Sequence, residues 1–253
     1  MEKPVLYFGD DALQGAAGYL AAVMGHYGIQ FIHIPSGISI TEANQQSRVE
    51  KIDLGNAGLF ILSDYLRDTL TDENRDRIIN QVHKGTGLLM IGGWESFFGG
   101  GYAGSELEEL LPVTMMTQDD RINCPYPCVL RQKTPHEITN GLPFTTPPGI
   151  GGYNQVTAKP ESKVILDAQR FKTTYEPDLI FTRSGSADPL LVVGNSGKGR
   201  TAALMTDSAP HWVGGFVDWG SKRVRYTVEN NLVEVGNWYA EFFSNLVRWC
   251  VAT

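Results

Sequence analysis

No stretch of this 253-residue chain approaches the ~20 consecutive apolar residues that a membrane-spanning helix needs. Basic runs are missing as well. The 21 Lys and Arg are outnumbered by 28 Asp and Glu, and a net charge of −7 repels phosphate, which argues against nucleic-acid binding. Three cysteines, a small and odd number, do not make a disulfide framework. Internal repeats and low-complexity tracts are absent. The opening residues offer only Val5-Leu6-Tyr7-Phe8 as an apolar run, too short for a signal peptide, so a cytoplasmic location is expected. Apolar residues are plentiful, at 42%. At this length a fold removes roughly 75% of the unfolded surface from water, and residues 1–253 are expected to form one domain.

Short apolar runs alternate with helical patterns in the first half. Val5–Phe8, Phe31–Ile34, Gly58–Leu62 and Leu88–Ile91 read as buried strands. Between them, Leu13 to Tyr27 carries apolar residues at spacings of three and four and stops at Gly28, and Thr71 to His83 reads as a helix capped by Thr71 or Asp72. Such alternation predicts a mostly parallel sheet covered on both faces, with ligands bound beyond the carboxyl ends of its strands. That rule selects Gly9-Asp10, Ser63-Asp64, Gly92 to Ser96, and Asp207. A short helix is expected from Ser105 to Leu111, a strand near Val113 to Met116, and loop from Pro143 to Gly152. Later, Lys163–Leu166, Leu190–Val193 and Arg200–Met205 read as strands, the last two joined by a Gly-rich hairpin tip. A final helix is expected from about Asn231 to Val251.

The run Gly87-Leu88-Leu89-Met90-Ile91-Gly92-Gly93-Trp94-Glu95-Ser96-Phe97 resembles the glutamine-amidotransferase-like family of unknown function, within the class I glutamine amidotransferase superfamily. Supporting segments are Glu108 to Val113, Asp119-Asp120-Arg121, Gly151 to Asn154, Asp188 to Gly194, and Gly197 to Arg200 running into Thr206 to Trp212. The resemblance implies a three-layer α/β/α fold of the flavodoxin-like kind, with added antiparallel strands in the C-terminal half. Active class I enzymes place a Cys on the sharp turn after a strand, where backbone N–H groups stabilise the oxyanion, with a His and a Glu after a late strand. Here the matching turn reads Gly92-Gly93-Trp94-Glu95, and the cysteines stand at 124, 128 and 250. Ordinary glutaminase chemistry is not expected.

The remaining candidates cluster at the same strand ends. His211 matches the superfamily's site position and could act as a general base oriented by Asp207 or Glu95, although the position two residues on is Val213 rather than an acid. Pro210 argues for a loop there. The bland reading makes His211 a loop anchor, Asp207 a turn cap and Glu95 a solvated acid. Ser96 reads as a helix-starting cap. Asp10, Asp64, Gly93, Trp94, Tyr153 and Trp212 are expected to line a crevice for a small polar ligand, carbohydrates included; equally, the aromatics could pack loops over the sheet edge or a subunit interface. The glycines at 99, 101 and 104 sit too far from their strand for a dinucleotide fingerprint, and Cys124 with Cys128 lacks the second pair a structural zinc site wants. No metal or other cofactor is expected. The readings left standing are a binder of a small-molecule ligand, a hydrolase or isomerase using His211, and a structural or assembly module. Self-association stays open; nucleic acid and membrane are not expected partners.

Overall fold

The computed structural model describes residues 3–36, 49 and 51–251. Five strands form the parallel part of one sheet. In spatial order they are β2 (Phe31–Ile34), β1 (Val5–Gly9), β3 (Leu59–Ser63), β4 (Gly87–Ile91) and β13 (Gly199–Leu204). Every residue of β1, β3 and β4 is buried, which is why these segments read as unbroken apolar runs: both sheet faces are covered. Helix α1 (Ala17–His26) packs against the C-terminal helix, while α2 (Asp72–Lys84) packs beside the short α3 (Glu106–Leu110). Thr71 caps α2 by accepting a hydrogen bond from the Asn74 N–H, and Ser105 caps α3 in the same way through Glu108.

Beyond β13 the sheet turns antiparallel. Strand β12 (Asp188–Ser196) pairs with β13 through a tight Gly197-Lys198 tip, and β10 (Lys163–Tyr175) pairs with β12, with β11 (Leu179–Arg183) and with β7 (Cys128–Gln132). Three two-stranded ribbons complete the described strands. They join β5 (Val113–Met115) to β9 (Val156–Ala158), β6 (Arg121–Asn123) to β8 (Gly152–Asn154), and β14 (Arg223–Val228) to β15 (Asn231–Gly236). The architecture is mixed α/β with a large, mostly parallel sheet of the flavodoxin-like kind.

Two expectations need correction. The last helix is α5 (Asn237–Val251), not a helix from Asn231, because Leu232, Val233 and Val235 belong to a strand that pairs back on Arg223–Val228. Pro210–Val213 is a single helical turn, α4, rather than a loop. Proline at a helix's first position gives up only an N–H that would be unpaired anyway.

Gly9 shows how tightly the strand ends are built. Its φ is +130°, and a Cβ there would lie 1.5 Å from the Ser63 carbonyl oxygen. Gly28 also has a positive φ, +69°, but nothing within 4 Å. Gly28→Ala should therefore cost only about 1 kcal/mol, whereas Gly9→Ala should cost at least ~3 kcal/mol or prevent folding. Urea denaturation of both variants checks this; equal losses would show that the β1–β3 approach is not the constraint.

Candidate active site

At the carboxyl ends of β1 and β3 two aspartates adopt left-handed backbone conformations, Asp10 at φ 51° and Asp64 at φ 43°. Their positions are held by backbone bonds. The Asp10 N–H donates to the Ser63 carbonyl at 2.9 Å, and Ser36 ties both loops by donating its N–H to the Asp10 carbonyl (2.8 Å) and its hydroxyl to the Asp64 carbonyl (2.5 Å). Non-glycine residues in this region are uncommon, and such strain gathers at functional sites.

The turn after β4 is wedged between two polar side chains. From one side the Asp64 Oδ1 accepts the Glu95 N–H at 2.8 Å, and a Cβ on Gly93 would fall 2.1 Å from that oxygen. Only glycine fits against this carboxylate. From the other side Asn154, fully buried, accepts the Gly93 N–H at 3.0 Å and donates to the Gly93 carbonyl at 3.2 Å. Its amide also donates to Asp120 Oδ1 at 3.0 Å, while Asp120 Oδ2 accepts the Phe98 N–H at 3.1 Å. Ser96 caps no helix. Its hydroxyl donates to the Ile91 carbonyl at 2.7 Å and accepts from the Asp64 N–H at 3.0 Å, which locks β3's end to the turn.

Asp207 follows β13 and accepts the Ala209 N–H at 2.9 Å. Burial raises its carboxyl to about 7, with the nearby Asp64 charge adding to the effect. Asp64 is raised to about 6, again chiefly by burial, against the pull of the Glu95 N–H. Asp10 is pushed well up by burial, then by the charges of Asp207 and Asp64, and it accepts a hydrogen bond from the Tyr7 hydroxyl. Three carboxyls thus influence one another across the ends of β1, β3 and β13, each in a desolvated setting that favours the protonated form. Among the described residues no group of three or more His, Cys, Asp or Glu has metal-binding geometry.

Aromatic side chains gather around the β4 turn. Trp94 is 45% exposed, with the His211 ring 6.3 Å away, the Trp212 ring 6.2 Å away and the Arg121 guanidinium 4.9 Å from its centroid. His211 is exposed on α4. Among the described residues neither Asp207 nor Glu95 hydrogen-bonds to it, so the oriented His–carboxylate pair expected from the sequence is not formed. Trp212 is buried and gives its indole N–H to Asn123 at 2.9 Å, so it backs Trp94 rather than facing outward. Tyr153 is likewise buried, and its hydroxyl donates to Asp188 at 2.5 Å instead of turning to the crevice. The cysteines lie elsewhere: Cys124 after β6, Cys128 in β7 and Cys250 in α5.

Tyr7, Ser36, Asp120, Arg121 and Asn154 join the site although the sequence reading did not select them for it. Only Asp120, Arg121 and Asn154 carried a signal, as parts of segments resembling a family. A cavity of about 890 Å³ opens elsewhere, beside β2 and Tyr226, and its lining has no carboxylate, histidine or thiol; volume and chemistry are separate here.

Over residues 38–234 the chain matches the profile of a family described as "Putative glutamine amidotransferase". A cytoplasmic protein from Salmonella typhimurium superposes with a TM-score of 0.71 at 24% identity, covering 98% of each chain. A second cytoplasmic protein, from Salmonella typhimurium LT2, gives 0.70 at 24% identity over 98% of this chain and 99% of that one. A thua-like protein from Parabacteroides merdae gives 0.65 at 12% identity over 100% and 91%. At these identities the likeness establishes the fold. No curated protein matches the chain. No described helix is long and apolar enough to cross a membrane.

The raised carboxyls make stability depend on pH. Folded Asp64 and Asp207 keep protons that the unfolded chain releases near 3.8, so their contribution falls as pH rises from there through about 6 and about 7. Asp207→Asn should flatten that decline, raising Tm by several degrees at about pH 8 and far less at about pH 5. Thermal melts across the range check this; a uniform shift would count against the buried-carboxyl account.

Proposed function

The chain belongs to the putative glutamine amidotransferase family, and from that premise we propose that it is a member without glutaminase activity, binding a small polar ligand at the strand-end crevice. One observation carries the reading: two backbone N–H groups of the β4 turn, those of Gly93 and Glu95, are already engaged. Gly93 donates to Asn154 and Glu95 donates to Asp64. A glutaminase needs such donors free and aimed at the developing oxyanion. Here one of them faces a carboxylate, which would repel an oxyanion. The side chain on the turn is an indole, which is no nucleophile toward a carboxamide, and the nearest hydroxyl, that of Ser96, donates to the Ile91 carbonyl.

The same geometry suits a ligand that carries hydroxyl or amino groups. Asp10, Asp64 and Asp207 offer acceptors, and in their protonated forms donors, while exposed Trp94 offers an aromatic face of the sort that packs on a sugar ring. His211 and Glu95 stand at the rim as further polar contacts. The ligand class, carbohydrate included, and a cytoplasmic location are part of the proposal.

A second reading is favoured by one specific observation. Carboxyls at about 6 and about 7 are poised for proton transfer near neutrality, so a hydrolase or isomerase would use Asp64 and Asp207 as acid and base in place of His211. The assembly reading draws less support, because Trp212 is buried by its own chain.

A thermal-shift panel of sugars, amino acids and nucleotides tests the binding reading, since a ligand at 100 times its Kd adds about 2.7 kcal/mol. A hit should weaken roughly 2- to 10-fold in Trp94→Ala, in line with the ~0.5–1.5 kcal/mol of an aromatic contact, and should fail in Asp64→Asn. Ammonia release from glutamine at a rate lowered by His211→Ala would refute the proposal. Turnover of a hit ligand, with a pH profile that Asp207→Asn moves, would favour the second reading.

A further inference from the structure

The outer parts of β10 and β11 form a two-stranded arm, Phe171 to Arg183, in which β11 is exposed along its whole length. An isolated two-stranded hairpin is marginal in water and needs a covered hydrophobic face. This arm has such a face, and it is uncovered. The pairing sets Tyr175 opposite Leu179, Thr173 opposite Phe181 and Phe171 opposite Arg183. Since side chains alternate across a strand, Phe171, Thr173, Tyr175, Leu179, Phe181 and Arg183 share one side, with Arg183 at its inner end, and Lys172, Thr174, Ile180 and Thr182 share the other. Tyr175 is 74% exposed, Leu179 56% and Phe181 52%. Large apolar side chains clustered on an exposed arm mark an interaction surface.

We propose that this face is a dimerisation surface and that its occupant is the same face of a second copy of the chain. Charge argues for that partner. The chain carries −7 overall, so two copies repel at most contacts. On the arm, Lys172 and Arg183 balance Glu176 and Asp178, making it a neutral place for two acidic molecules to meet. The face is also self-complementary. Packed about a twofold axis, its aromatic and aliphatic pairs meet their own copies, and the two hairpins become a four-stranded, two-layer unit with a dry centre. A whole aromatic side chain presents ~150–250 Å², and at the exposures of Tyr175 and Phe181, with Leu179 beside them, the two copies together bury on the order of 600–900 Å², less than a standard stable interface. The dimer is therefore weak and concentration-dependent.

Sedimentation equilibrium of the full chain over a concentration series tests this. Wild type should shift from one to two chain masses as concentration rises. Phe181→Glu, which would bury a carboxylate against its copy, should raise the dissociation constant on the order of 100-fold or more. Thr182→Gln, on the other side and with no change of charge, should leave it within a few-fold. Because the substituted positions are exposed, circular dichroism should report an unchanged fold in both. Wild type that stays monomeric at the highest concentration reached would overturn the proposal, and would leave the face to a different protein. So would a dimer that survives Phe181→Glu, or one that Thr182→Gln dissolves equally well.

Discussion

The carboxylate of Asp64 lies against Gly93 and takes the Glu95 N–H, and much of the site follows from that contact. It requires glycine at position 93, because any Cβ would overlap the carboxylate oxygens. It also requires Asp64 to leave β3 with a positive φ, and it places a desolvated acid at the centre of the strand ends. Asn154 closes the opposite flank with a reciprocal pair of bonds to the Gly93 peptide. A turn held on both flanks cannot open its N–H groups to a substrate carbonyl without leaving a buried carboxylate and a buried amide short of partners. An unsatisfied buried polar group costs about 1–3 kcal/mol, and more when charged.

That arrangement accounts for the electrostatics of the neighbouring acids. Asp10 and Asp207 each sit near enough to Asp64 for its charge to oppose theirs, and burial deprives all three of water. Folding therefore accepts a destabilising cluster where a set of apolar residues would pack at lower cost. Proteins keep such clusters mainly at functional sites, because raised carboxyls there can donate or accept a proton at neutral pH. The strained backbones of Asp10 and Asp64 point the same way.

Much of this was legible in the sequence, where the physics is local. The apolar runs that become β1, β3 and β4 are buried on both faces, so they stand out without any partner. The turn glycines and the acids following each strand identify the crevice through strand order alone. What escaped depends on contacts distant in sequence. Asn154 acts on Gly93, 61 residues away, and nothing near Asn154 announces that amide pairing. Tyr153, adjacent to it, was expected in the crevice, but strand alternation turns its hydroxyl to Asp188. Strand β15 reads as the start of a helix because its apolar residues run directly into the helical stripe of α5. His211 lies where a resemblance would put it, yet Asp207, the carboxylate near it in sequence, accepts the Ala209 N–H instead.

The rim and the floor of the crevice together limit what the proposed ligand can be. An anion would meet Asp10, Asp64 and Asp207, with the Arg121 guanidinium beside Trp94 as a compensating charge. That guanidinium, however, is tied to Asp119 at 2.7 Å as well as lying over Trp94, so little of its field is left for a ligand. A strongly apolar ligand would bring no hydrogen bonds to three carboxyls that burial already deprives of water, and one exposed indole face cannot make up for that. A neutral, hydroxyl-rich ligand avoids both penalties. Its ring lies on Trp94 while its hydroxyls donate to, and accept from, acids whose burial holds protons on them up towards neutral pH. An amine is accommodated too, and it would draw those protons off the carboxyls, lowering the pH at which Asp64 and Asp207 ionise. Proton release on binding therefore separates these two classes, because a neutral polyol leaves the carboxyls near their unliganded ionisation and an ammonium ion does not.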